Sequence, residues 1–201
     1  MSKWEAMLVL ASQSPRRHEI LANAGIPFTV RAPCVPEERM VGESAEDYVR
    51  RLAGDKALAV ECQDNETILS ADTVVLVKDA ILEKPRDESD AARMLHLLSD
   101  CEHQVLTGIC LRNRSVTILD TASTRVHFAR LTALEIQDYV RSGEPMDKAG
   151  GYAIQGLASK FIVRIEGCYF NVVGLPISLV YRRLKELGFP ARSGLQLPRR
   201  A

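Results

Sequence analysis

The sequence has no net charge, no sign of a disulfide framework, no long apolar run and none of the common phosphate-loop or nucleophile motifs. Lys plus Arg number 26 and Asp plus Glu number 26. No overall field therefore draws the chain to DNA or to an anionic membrane, and any bound anion must be held by a local cluster. The five cysteines, Cys34, Cys62, Cys101, Cys110 and Cys168, are odd in number, widely spaced and without a C-x-x-C. That argues against a thiolate zinc site and fits small buried side chains, with one or two exposed thiols, in a reducing compartment. The apolar run Ala6 to Ala11 is too short for a signal segment, and charge follows it closely. No stretch reaches the ~18 apolar residues of a membrane helix. The expectation is a cytoplasmic protein with no membrane and no nucleic-acid partner. A G-x-x-x-x-G-K-[ST] loop and a G-x-S-x-G elbow are both missing. His18, His96, His103 and His127 lack metal-ligand spacing and read as surface or structural.

What is present is ordinary globular composition, 46% hydrophobic and 26% charged over 201 residues. That is enough chain for one domain, with room for two lobes. Met7 to Ala11 reads as a buried strand, and a helix from Pro15 to about Ala24 stops at Gly25. Phe28 to Ala32 reads as a second strand. Residues 33–43, with two prolines, a glycine and clustered charge, read as a loop. Ser44 opens a helix with Asp47 in the Glu position of a capping box. Thr67 to Val77 reads as a strand and Glu88 to Leu98 as a helix. Gln104 to Arg112 and Val116 to Ala129 read as an antiparallel pair. Thr132 and Glu135 form a capping box, Phe161 to Ile165 and Tyr169 to Val173 read as short strands, and Pro176 to Leu187 as the last helix. This pattern predicts an α/β fold with a mixed sheet in residues 1–189 and a flexible tail over 190–201.

Functional residues tend to show where local rules fail. Ser14 and Pro15 are good N-cap and N1 residues, but Arg16 and Arg17 then fall in the first turn, where the helix dipole is already positive. Two guanidinium groups there call for an anion. With Ser12, Ser14 and first-turn amides they would form a phosphate site; the alternative is a solvated pair of arginines. Lys56 lies on an apolar helix stripe and must snorkel or meet a charge. Asp72 lies in the apolar strand Leu69–Val75 and needs a hydrogen-bond donor, a cation, a metal or a reacting water. Lys84 precedes Pro85, which holds it extended and able to point into a cleft. Lys148 to Gly156 has three glycines in its last seven residues, and Gln155 there carries both a donor and an acceptor suited to a base edge. Cationic lining plus one embedded carboxylate favours attack by water on a phosphate-rich substrate over a covalent intermediate.

Five segments, in order, resemble the Maf family of nucleotide pyrophosphatases. They are Leu10-Ala11-Ser12-Gln13-Ser14-Pro15-Arg16-Arg17, Ala71-Asp72-Thr73, Glu83-Lys84-Pro85, Asp147 to Gly150 with Gln155-Gly156, and Asn171-Val172-Val173-Gly174-Leu175-Pro176. The resemblance implies a mixed twisted sheet with flanking helices, two lobes around a cleft similar to inosine triphosphatase folds, and a homodimer. It implies hydrolysis of a nucleoside triphosphate to the monophosphate and pyrophosphate with a divalent cation, Mg²⁺ or Mn²⁺. By the same resemblance Asp72 is the proton acceptor, and Arg16, Thr73 and Gln155 tune base choice. Ser14, Arg17, Lys56 and Lys84 line the phosphates with Ser12, and Glu37 joins Asp72 at the metal. The Gly151–Gly156 and Asn171–Gly174 segments look like the branch acting on dTTP and UTP rather than 7-methyl-GTP. Gln13 departs from the small residue usual at that turn. Two rival readings are a nucleotide-binding regulator of cell division with little turnover, and a phosphotransferase.

Overall fold

The apolar run at the start of the chain forms the inner strand β1 (Met7–Leu10), with every residue from Leu8 to Leu10 buried. The computed structural model describes residues 7–189, so the expected 190–201 tail lies outside the described residues. β1 is flanked by two parallel neighbours, β2 (Phe28–Val30) and β3 (Glu66–Val77). The sheet then continues antiparallel through β5 (Glu102–Arg112), β6 (Thr117–Phe128) and β7 (Ile162–Glu166). A short strand, β4 (Ala80–Leu82), folds back on β3 through a turn with Lys78 at φ 53° and was not expected from the sequence. Among the described residues the result is a seven-stranded mixed sheet, six strands in the order β2-β1-β3-β5-β6-β7 and β4 paired to β3 off that path.

The helices follow their capping signals. α1 (Pro15–Asn23) starts on Pro15, and α3 (Glu88–Leu98) is capped by Asp87. α4 (Ala133–Arg141) shows the full Thr132–Glu135 capping box. In α2 (Ala45–Leu58) the Ser44 hydroxyl caps Asp47, but the Asp47 carboxylate takes the Ser44 hydroxyl at 2.7 Å instead of the backbone amide. α6 (Ile177–Glu186) closes the described chain. One expectation is corrected: Tyr169–Val173 is a single helical turn, α5, and not a strand. Gly167, at φ 128° and packed on Thr124, turns the chain away from β7. The Asn171 amide then holds the turn down by donating to the Val105 carbonyl and the Thr124 hydroxyl. A second correction concerns the cysteines, of which only Cys110 is buried; Cys34 is exposed and the other three are half-buried.

Successive strand residues face opposite sides of a sheet, and this rule explains the two lobes. On one face of β3, Ile68 and Val74 pack under α2. On the other face, Leu69 and Ala71 belong to a core with α1 and α6, whereas Val75 and Val77 belong to a second core with α3 and α4. β5 repeats the division, with Ile109 and Leu111 in the first core and Val105 in the second. Between them, at the same level on both strands, stand Thr73 and Thr107, which are register partners. The two cores share three long strands and are separated by a polar waist, and a cleft opens at that waist.

Candidate active site

The cleft has a volume of about 500 Å³ and is lined by the β1–α1 turn, the middle of β3, the loop after β4, and residues 146–155. Every site residue expected from the sequence lines it. The helix that was expected to bind an anion begins here. The first-turn amides of α1 have no intrahelical acceptor, and Ser14 has cap geometry without using its hydroxyl as a cap. Ser12 is buried and organises the turn: its hydroxyl accepts from the Ser14 amide and from Arg17, both at 3.2 Å.

The two arginines diverge. Arg17 turns inward, with Nε donating to the Gly174 carbonyl at 2.8 Å and Nη1 to the Ala71 carbonyl at 2.8 Å. Nη2 donates to the Thr73 hydroxyl at 3.2 Å. With the Ser12 contact, four of its five N–H groups are engaged among the described residues, leaving one for a ligand. Burial lowers its pKa, while the Asp72 charge supports the cation; a guanidinium stays charged under these conditions. Arg16 reaches across the cleft mouth to Asp147, donating to its carboxylate at 3.1 Å and its carbonyl at 3.3 Å. The anion that the sequence called for is, for Arg16, supplied by the protein itself.

On the α2 face, Lys56 does not snorkel. Its ammonium sits 2.6 Å from Asp72 Oδ1 and 2.5 Å from Glu37 Oε1, with Lys84 4.0 Å from the other Glu37 oxygen. Burial raises the pKa of Asp72, opposed by Lys56 and Arg17. Glu37 shares the same lysine yet shifts down: its burial also works against charge, but Lys56, Lys84 and Arg17 outweigh it. The difference follows from depth, since the Asp72 side chain is 10% exposed and Glu37 44%. A carboxylate whose pKa is raised by burial is a better proton acceptor than a solvated one.

The close approach of α2 has a cause the sequence reading missed. Gly108 is the register partner of Asp72 on β5, and a Cβ there would lie 2.3 Å from the Val49 carbonyl oxygen. Its bare backbone lets α2 lie against the sheet, which brings Lys56 to Asp72. Tyr48 and Glu83 were also missed as a pair. The buried Tyr48 hydroxyl contacts the Glu37 carbonyl at 3.0 Å and the Glu83 carboxylate, and so anchors the loop that carries Glu37. A buried tyrosine on an apolar helix stripe always needs such a partner, and that was the available signal.

The far wall is apolar, with Val75, Val105, Val172, Met146 and Ala149 beside Gln155. Gln155 lines the cleft with its side chain exposed to solvent. Gly150, at φ 72°, packs on Val75 where a Cβ would collide, which explains one of the glycines in this segment.

Two carboxylate oxygens converge on one cation position, now held by Lys56. Among the described residues no group of three or more His, Cys, Asp or Glu side chains is arranged to hold a metal. A magnesium-type ion commonly uses one or two protein carboxylates and completes its shell with water and substrate phosphates. The Asp72–Glu37 pair fits that kind of ion, bound with a nucleotide, and not a protein-only metal cage. No helix among the described residues is long and apolar enough to cross a membrane.

The family described as Maf-like protein matches residues 7–187. A relative from Koribacter versatilis (strain Ellin345), named dTTP/UTP pyrophosphatase, is 50% identical over 182 residues, covering 90% of this chain and 94% of that protein. One of the same name from Vibrio cholerae serotype O1 is 49% identical over 172 residues, covering 85% and 92%. Among solved structures, the Staphylococcus aureus Ham1 protein shares the fold at a TM-score of 0.51 and 13% identity, covering 90% of this chain and 99% of that one.

Proposed function

The chain belongs to the Maf-like protein family, and on that footing we propose that it hydrolyses dTTP and UTP to the monophosphate and pyrophosphate. One observation carries the reading: a buried carboxylate, Asp72, faces a cationic cleft at a helix N-terminus. A protein that only bound a metal-free nucleotide would be weakened by that carboxylate. The relatives bearing the dTTP/UTP name favour this branch over 7-methyl-GTP.

In this reading the triphosphate lies along the β1–α1 turn. Ser12, Ser14, the first-turn amides and the free N–H of Arg17 hold phosphate oxygens. Lys84 and Lys56 neutralise charge that grows on the departing pyrophosphate. Asp72 takes a proton from the attacking water, its affinity for that proton raised by burial. Asp72 and Glu37 would hold a divalent cation, Mg²⁺ or Mn²⁺, which when bound supplies Lewis-acid polarisation of the phosphates. The base rests on the apolar wall, and Arg16, Thr73 and Gln155 set its choice. We further propose residues 1–189 as one domain, working as a cytoplasmic homodimer.

The test is pyrophosphate release from dTTP, UTP, CTP, GTP, ATP, ITP and 7-methyl-GTP with Mg²⁺ or Mn²⁺. The expected result is turnover led by dTTP and UTP. Gln155→Ala should change the ranking by roughly two- to tenfold, the worth of one exposed hydrogen bond, with little change in the best rate. Tight binding of a nucleotide with no turnover would replace this reading with the regulatory one.

A further inference from the structure

We propose that Thr107, which lies in none of the matching motifs, is a positioning residue that fixes Thr73 and Arg17 through a one-way chain of hydroxyl groups. The inference rests on the pyrophosphatase reading for its kinetic consequence, but not for its structural one. Thr107 is fully buried on β5, at the polar waist between the two cores. Its hydroxyl contacts the Asn171 carbonyl at 3.2 Å and the Thr73 hydroxyl at 2.9 Å.

Donor counting fixes the direction. A hydroxyl has one hydrogen. A carbonyl can only accept, so the Thr107 hydrogen goes to Asn171. Thr73 must then donate to Thr107. The Thr73 oxygen in turn accepts from Arg17 Nη2 at 3.2 Å. The chain therefore runs Arg17 to Thr73 to Thr107 to the Asn171 carbonyl, with every hydrogen used. Asn171 is itself pinned, its amide donating to Val105 and Thr124 and its carbonyl also accepting from the Gly174 amide at 3.0 Å. Gly174 closes the ring by accepting from Arg17 Nε.

Two consequences follow. Thr73 has no hydrogen left to donate to a base edge, so its influence on substrate choice passes through where it holds Arg17. The orientation of the one free Arg17 N–H is set by a residue on the neighbouring strand. Hydrogen-bond chains of this kind reinforce one another when buried.

The test exploits the fact that packing and hydrogen bonding rank substitutions oppositely. Thr107→Val keeps the shape and loses the hydroxyl; Thr107→Ser keeps the hydroxyl and leaves a methyl-sized void. The expected result is that Thr107→Ser retains kcat/KM for dTTP within about twofold, while Thr107→Val loses about tenfold. The Thr73→Val/Thr107→Val double variant should be no worse than the poorer single one, because both break the same chain. The Arg17 Nε–H resonance, read by ¹⁵N NMR without any substrate, should shift in Thr107→Val and not in Thr107→Ser. If Thr107→Val does not fold, Thr107→Cys, with a weak donor, should fall below Thr107→Ser. The proposal is overturned if Val matches or exceeds Ser, if the losses multiply in the double variant, or if the Arg17 resonance is unmoved. Because the NMR arm needs no turnover, failure of the enzymatic reading is separable from failure of the chain.

Discussion

A guanidinium with four of its five N–H groups engaged by the fold is less a free phosphate ligand than a fixed part of the wall. The sequence showed that Arg16 and Arg17 conflict with the helix dipole, and so marked the place. It could not show that one arginine would go inward and the other across the cleft, because their partners lie as far as 157 and 131 residues away. Asp72 and Lys56 were legible for a simpler reason: each is a charge in an apolar pattern, and the structure pairs them. His103 was not legible as special. It is buried, with Nε2 2.8 Å from the Tyr152 hydroxyl and Nδ1 without a partner among the described residues. Burial keeps it neutral, pushing its pKa down from 6.5 to about 3. Between those values the unfolded chain binds a proton that the folded one does not. Stability therefore falls as pH drops through that window, by up to about 1.4 kcal/mol per pH unit. Denaturant titrations of the wild type and His103→Phe between about pH 6 and pH 4 should show a slope shallower by roughly that amount in the variant. Equal slopes would mean that His103 is protonated in the folded protein.

At the scale of elements, caps and apolar periodicity gave α1 to α4 and the long strands nearly to the residue, since local rules decide those boundaries. They misread Tyr169–Val173, whose aromatic and β-branched residues suit a strand, because that turn is held by the tertiary bonds of Asn171. They also passed over Gly108, since a glycine inside a strand shows nothing of the helix that will cross it. The contrast with Gly54, in the middle of α2, makes a clean experiment. A Cβ at Gly54 would meet only the Leu119 side chain, at 3.5 Å and beyond, an ordinary contact. Gly54→Ala should therefore stabilise the protein by about 0.5–1 kcal/mol through helix propensity. Gly108→Ala must push α2 off the sheet. It should cost about 1–3 kcal/mol and lower kcat/KM, because Lys56 is drawn away from Asp72. Thermal unfolding and steady-state kinetics on the two variants check both statements; a Gly108→Ala protein with unchanged activity would show that the Lys56–Asp72 contact does not depend on the approach of α2.

At the scale of the whole molecule, two apolar cores lie on one face of the same strands, and the threonine pair between them marks the level at which the cleft opens. The family resemblance anticipated two lobes and a cleft, but composition and periodicity alone could not locate the waist, because one threonine in an apolar strand is unremarkable until its partner on the next strand is known. The cleft collects the N-terminus of α1, the middle of β3 and the 146–155 segment into one chemical unit, and the central claim is that this unit cleaves a triphosphate between the α- and β-phosphates with Asp72 as the base. The most direct measurement is ³¹P NMR of dTTP incubated with the protein and a divalent cation, beside the Asp72→Asn variant. The account predicts dTMP and pyrophosphate in equal amounts, with the rate about 10²–10⁴-fold lower in the variant. Release of dTDP and orthophosphate, or an Asp72→Asn protein that keeps most of its activity, would contradict it.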